Sequence, residues 1–365
     1  MAKTRTAKTK KDLAKKRERP KWETSKRLHT GSTLLNLACS DDAEGGFPMG
    51  GYVFFVGDSM SCKTWMCLSC MAEASINEEY KDHRFIYDNV ERGARMDMVR
   101  YFGQAMADRI EPPRVDEEGE PIYSEYTEEF YFNVADALED GRPFIYVLDS
   151  MDALDTMDDD KKFEDQREAH EEGKTTKGSF GMSKAKLNSM NIRRITSRIE
   201  QSDSLLIVIS QTRDNVDPMS FVKKTRSGGK SLRFYATLEV WSSVTKKITK
   251  EYKKKKRHIG SMIKLVLKKN RLTGKEAEVT IPVYHSYGID DVGTCVDFLV
   301  DESDWTNNRG IITPTGIEGL EKSKRDKLIV QIEESGKVPE LRALVQKEWS
   351  AIADAVALKR KPRYE

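Results

Sequence analysis

From residue 52 onward, short apolar runs alternate with longer stretches whose apolar positions recur at helical spacing. YVFFV (52–56), RFIYD (84–88), FIYVLD (144–149) and SLLIVIS (204–210) read as buried strands. WMCLSCMAEASI (65–76), ARMDMVRYFGQAM (94–106) and MSKAKLNSMNIRRITSRI (182–199) read as the helices between them. This alternation predicts an α/β fold, a mainly parallel sheet with helices on both faces. The later chain changes character. Residues 231–244 and 261–269 flank a basic tip as the arms of a long hairpin, and 278–284 adds a strand. After Asp301 two helical patterns, about 317–335 and 339–358, predict a small appendage.

Composition narrows the class. The chain has 365 residues, 38% hydrophobic and 33% charged, which fits a soluble intracellular protein. No apolar run reaches the roughly 18 residues that span a bilayer, so no membrane partner is expected. The basic N-terminus lacks the apolar core of a signal peptide. Five cysteines are scattered, and the lone pair Cys67/Cys70 falls inside a predicted helix, as buried thiols of a reducing cytoplasm. The net charge of +2 conceals strong segregation. Residues 1–30 hold 12 Lys/Arg against 3 Asp/Glu, residues 155–172 hold 9 acids against 3 bases, and residues 245–258 hold 8 bases against 1 acid. Basic segments around a nucleotide-binding core point to a polyanionic partner.

GDSMSCKT (57–64) supplies that core. It follows a predicted strand and opens a predicted helix, so backbone N–H groups and the positive end of the helix dipole face an anion. Gly57, Asp58, Ser59, Met60, Ser61, Cys62, Lys63, Thr64 and Trp65 form the candidate nucleotide site. Lys63 is placed to reach the β and γ phosphates of ATP and Thr64 to hold Mg²⁺. Asp149, closing an apolar strand, is the second candidate Mg²⁺ residue. Cys62 stands where the usual pattern has glycine. Because it opens a helix, ordinary backbone angles are expected to suffice there.

Beyond these two segments the chain resembles the RecA-type recombinases, phage-encoded members of the UvsX kind among them. The resemblance covers about 28–301: LHTGSTLLNLA and GGFPMGGYVFFVGDSMSCKT (28–64), DSMDAL (149–154), MSKAKLNSMNIRRIT (182–196), LLIVISQTRDN (205–215) and SGGKSLRFYATLEV (227–240). It implies a RecA-like P-loop ATPase core with a late β-hairpin and small terminal appendages. The expected divisions are a basic, oligomerising tail (1–28), the core (29–301) and a helical C-terminal domain (302–365). By the same resemblance Gln211 senses the γ phosphate, and Glu91, with Asp88 as the alternative, activates water. Asp97 and Arg100 fall where the family contacts adenine, and Lys269 and Arg271 would complete a neighbouring subunit's site. Arg213, Phe221, Lys223, Lys224, Arg226, Gly228, Gly229 and Lys230 are the candidate single-stranded DNA contacts. A first DNA loop is expected within 156–181, although its early part is acidic.

The implied activity is a DNA-dependent ATPase that forms a homo-oligomeric helical filament on single-stranded DNA, pairs it with duplex DNA and exchanges strands. Single-strand-binding and mediator proteins are expected partners, in the cytoplasm of a bacterial host if the chain is phage-encoded. The alternatives are a helicase on the same fold and a non-hydrolysing DNA-annealing filament protein.

Overall fold

The computed structural model describes residues 26–93, 95–172, 182–214, 224–226 and 229–361. Nine strands form the main sheet: β1 (Tyr52–Gly57), β2 (Arg84–Asp88), β3 (Phe144–Leu148), β4 (Leu205–Asp214), β5 (Lys224–Arg226), β6 (Leu238–Tyr252), β7 (Lys255–Asn270), β8 (Ala277–Tyr284) and β9 (Gly288–Ile289). Their order is β9-β8-β7-β6-β1-β4-β3-β2, with β5 paired to the far end of β4. The five strands from β6 to β2 are mutually parallel, as the strand–helix alternation predicts. From β6 through β9 the pairing is antiparallel.

The principal helices are α1 (Thr33–Ser40), α2 (Lys63–Ile76), α3 (Thr127–Asp140), α4 (Met157–Glu171), α5 (Met182–Gln201), α6 (Lys230–Tyr235), α7 (Asp291–Glu302), α8 (Arg325–Glu334) and α9 (Val338–Val356). They cover both faces of the sheet, which explains why β1 is apolar at every position. Its Val53 and Phe55 join one buried cluster with residues of α1, α2 and α7–α9. Its Tyr52, Phe54 and Val56 join the other with residues of α3, α5 and α6. Each buried aromatic or aliphatic side chain contributes about 1.5–3 kcal/mol. Among the described residues no helix is long and apolar enough to cross a membrane.

Several expected elements differ. The helix expected over 94–106 is two short ones, Met98–Phe102 and Gln104–Arg109, broken at Gly103. Residues 231–244 are not one strand: α6 comes first and β6 starts only at Leu238. Leu232 and Ala236, four apart, bury themselves together beneath α6, a helical and not an alternating pattern. The start of α6 needs Gly229. Its φ is +84°, and a Cβ there would lie 3.0 Å from the Cβ of Ala185.

Helix in the appendage starts at α8, not at 317, because residues 306–324 form a small three-stranded sheet. Leu328, Ile332, Leu341 and Val345 of the appendage belong to the same buried cluster as β7 and β8. The acidic stretch is helical too. In α4 no side chain is buried, Thr156 caps the N-terminus by accepting from the Asp159 amide (3.1 Å), and Lys162 pairs with Asp158 (2.6 Å). The continuation, 173–181, lies outside the described residues, as do 1–25 and 362–365.

Candidate nucleotide site

β1 ends at Gly57, which pairs with Gln211 of β4 on one side and Ser242 of β6 on the other. The chain then turns through 58–62 and enters α2 at Lys63. Gly57 is required by closeness. A Cβ would fall 2.2 Å from the Ser242 hydroxyl and 2.5 Å from that of Ser61. The candidate site thus sits at the carboxyl ends of the parallel strands, where an open α/β sheet binds ligands. The Lys63 ammonium is buried and donates to the carbonyls of Gly57 (3.0 Å) and Asp58 (2.7 Å). Burial lowers its pKa, opposed by the nearby carboxylates of Glu91, Asp149, Asp152 and Asp58.

Asp149 is buried just beyond β3. Its carboxylate accepts from the Thr64 hydroxyl (2.6 Å) and from the Tyr87 hydroxyl (3.0 Å). Burial raises its pKa, and those two hydrogen bonds pull it back. Thr64 and Asp149 therefore offer two hard oxygen atoms side by side, the donor type Mg²⁺ prefers. Tyr87 was not evident from sequence. Its alternation with Ile86 on β2 is the signal that would have pointed it inward.

Of the two candidate acids, Asp88 at the end of β2 and Glu91 after it, Glu91 faces this group. Its Oε1 accepts from Gln211 Nε2 (2.8 Å) and from the Ser150 hydroxyl, and its amide donates to the Asp149 carbonyl (2.9 Å). Asp88 is buried and fully engaged elsewhere, by the Ser124 amide (3.1 Å), the Ser124 hydroxyl (2.6 Å) and the Tyr146 hydroxyl (2.8 Å). It lies on the floor of a separate cleft with Phe132 and Asp136. Asp97 caps the helix Met98–Phe102 through the Arg100 amide (3.0 Å). That helix packs Tyr101 and Phe102 on Trp65, with ring centroids 4.9 and 5.1 Å apart. Asp97 and Arg100 are exposed on this helix, beside the start of α2.

Cys62 departs from expectation. Its φ is +61° and ψ +23°, the left-handed region. The glycine of the usual pattern stands at a position that needs this geometry, so ordinary helical angles do not suffice. Cysteine occupies it at a cost of about 1–2 kcal/mol. Met60 is left-handed as well, with φ +63°.

Lys269 and Arg271 lie far from this chain's own loop. Lys269 pairs with Glu239, which pairs with Phe54, three residues before Gly57. The separation along the sheet is about 10 Å before the loop begins. Both cations cap α6. Lys269 donates to the carbonyls of Arg233 and Phe234 (both 2.7 Å), and Arg271 to that of Phe234 (2.6 Å). Partial burial, reinforced by Arg271, lowers the Lys269 pKa to about 8.

Among the candidate DNA contacts, Arg213 is exposed near the end of β4, 3.9 Å from Asp152. Lys224 and Arg226 lie on β5, paired with Asp214 and Thr212. Gly229 and Lys230 open α6, with Lys230 exposed. Phe221, Lys223 and Gly228 lie outside the described residues. The hairpin β6–β7 runs past the loop from Ser243 to a two-residue turn at Lys253–Lys254, about 30 Å. Every residue from Lys250 to His258 is exposed. Lys253 and Lys254 have φ of +51° and +62°, a turn that ordinarily selects Asn-Gly.

Residues 145–290, from β3 to the end of β9, match the family model described as the RecA N-terminal domain. Over 318 residues the chain is 26% identical to protein RecA of Clostridioides difficile, covering 85% of this chain and 82% of the relative. It is likewise 26% identical over 336 residues to protein RecA of Geobacter sulfurreducens, covering 88% and 87%. With a parallel core that brings residues 57–64, Asp149, Glu91 and Gln211 to one edge, the chain is similar to the RecA proteins over most of its length.

Proposed function

We propose that the protein is an ATP-dependent recombinase that assembles on single-stranded DNA, pairs it with homologous duplex and exchanges strands. The observation that carries this reading is the hydrogen bond from Gln211 to Glu91. It ties Glu91, an acid beside Lys63 and Asp149, to the strand that leads into the candidate DNA loop. In this reading the loop amides and Lys63 hold the triphosphate, with Trp65, Asp97 and Arg100 toward the base. Thr64 and Asp149 hold Mg²⁺, which when bound neutralises charge on the phosphate oxygens. Glu91 takes the proton of the attacking water, and Gln211 sets the orientation of that carboxylate. Lys269 and Arg271, too distant from their own loop, serve the nucleotide of an adjacent subunit in a filament. The exposed tip Lys250–His258 holds duplex DNA through its phosphates.

A second reading, a filament or annealing protein that binds ATP without turnover, draws support from the left-handed Cys62. ATP hydrolysis measured with and without single-stranded DNA, beside Lys63→Ala, separates the two. The first reading predicts DNA-stimulated turnover that Lys63→Ala abolishes. ATP-dependent DNA binding without turnover overturns it in favour of the second.

A further inference from the structure

Asp58 links Lys63, the phosphate loop and β4. It directly follows Gly57, and its carbonyl accepts from the Lys63 ammonium (2.7 Å) and the Ser61 hydroxyl (2.7 Å). Its carboxylate accepts a hydrogen bond from the Thr212 hydroxyl. Thr212 follows Gln211 on β4, and its Cα partner is Arg226 of β5. It therefore belongs to the two-stranded ribbon Thr212–Asp214/Lys224–Arg226, whose strands are joined through residues 215–223. On the opposite side the loop is held differently. The hydroxyls of Ser61 and Ser242 lie 2.8 Å apart in a buried pair, anchored to a strand inside the sheet.

We infer that Thr212 is a positioning residue that transmits movement of the DNA-loop ribbon to Lys63 through Asp58, in parallel with the Gln211–Glu91 contact. A displacement of the ribbon carries the Thr212 hydroxyl with it. Asp58, bonded through its carboxylate, follows, and its carbonyl is one of two partners that fix the Lys63 ammonium. The Ser61–Ser242 pair supplies the fixed point about which the loop turns. Gln211 thus acts on the acid that handles water, and Thr212 acts on the cation that handles phosphate. The two neighbouring residues divide the coupling between them.

The inference rests on the DNA-coupled ATPase reading above, and the test keeps the two apart. Thr212→Val removes the hydroxyl at nearly constant volume, and Thr212→Ser retains it. The first readout is the factor by which single-stranded DNA tightens binding of a fluorescent non-hydrolysable ATP analogue. Linkage makes that factor the coupling itself. The second is ATP turnover with and without DNA. A hydrogen bond to a carboxylate supports an effect of about tenfold. In Thr212→Val the coupling factor and DNA stimulation should fall about tenfold, while analogue affinity and turnover without DNA stay within about twofold. Thr212→Ser should restore both. Unchanged coupling in Thr212→Val overturns the inference, as does an equal loss with and without DNA, or failure of Thr212→Ser to rescue. If the unaltered protein shows no coupling of DNA to nucleotide, the DNA-coupled reading itself falls and takes this inference with it.

Discussion

The left-handed Cys62 makes a prediction that reverses an ordinary rule. Within a helix, glycine is less stable than alanine by about 1 kcal/mol, because it orders a freer backbone. At Cys62, φ is +61°, and any Cβ meets the preceding backbone. A residue with a Cβ loses about 1–2 kcal/mol there. Cys62→Gly and Cys62→Ala both remove the thiol, so its partial packing against the core cancels in their comparison. What remains is Cβ strain of about 1–2 kcal/mol against glycine's entropy of about 0.5–1 kcal/mol. Cys62→Gly should therefore equal or exceed Cys62→Ala in stability, by about 0–1.5 kcal/mol. Urea unfolding, compared at equal slope, reads the difference. An alanine variant more stable than the glycine variant by about 1 kcal/mol would mean that Cys62 has helical backbone angles and that the loop reasoning is wrong. Nucleotide affinity gives an independent check. Removing the Cβ lets phosphate approach the loop more closely, so Cys62→Gly should bind ATP at least as tightly as the unaltered chain.

Three further predictions follow from the same geometry. Glu91→Gln should abolish ATP turnover while leaving ATP and DNA binding in place, whereas Asp88→Asn should leave turnover largely intact but destabilise the fold by about 1–3 kcal/mol, because the amide cannot satisfy all three donors now on Asp88. Turnover assays and urea unfolding on the pair distinguish the roles, and the reverse pattern would exchange them. Lys269 loses half its charge near pH 8, and an ordinary lysine near pH 10.4. If its ammonium engages a neighbour's phosphate, assembly takes up a proton above pH 8 and weakens by up to tenfold per pH unit, a slope absent in Lys269→Met. The sign for folding is opposite: between pH 8 and 10 the unfolded chain holds more protons at this site, so its contribution to stability rises with pH. Replacing Lys253–Lys254 with Asn-Gly should stabilise the hairpin turn yet reduce the salt dependence of duplex binding by about two phosphate contacts. An unchanged slope would remove the tip from the DNA surface.

The α/β class and four of the five parallel strands were legible because β1 to β4 read as short apolar runs between helical patterns, whereas the order of the strands was not. That Lys63, Thr64 and Asp149 would lie together was expected from sequence, because a phosphate loop and a carboxylate at a strand end call for particular residue types at a particular spacing. The remainder depends on register, which a sequence does not display. Tyr87 and Thr212 bond to Asp149 and Asp58 only because β2, β3, β1 and β4 pair as they do. The choice between Asp88 and Glu91 turned on what each acid meets in the fold, and α6 was hidden because Phe234 and Tyr235 are strand-forming residues in a segment whose buried positions, Leu232 and Ala236, have helical spacing. The backbone at Cys62 was unreadable because φ follows the loop's fold and not the residue's preference.

The most direct test of the central claim is strand exchange between circular single-stranded DNA and a homologous linear duplex. Reactions would contain ATP and Mg²⁺, with Lys63→Ala as the control. An ATP-dependent recombinase gives joint molecules that mature to nicked circular product with ATP and are absent in the control. Annealing of complementary single strands independent of ATP, or unwinding of the duplex without homology, would contradict it.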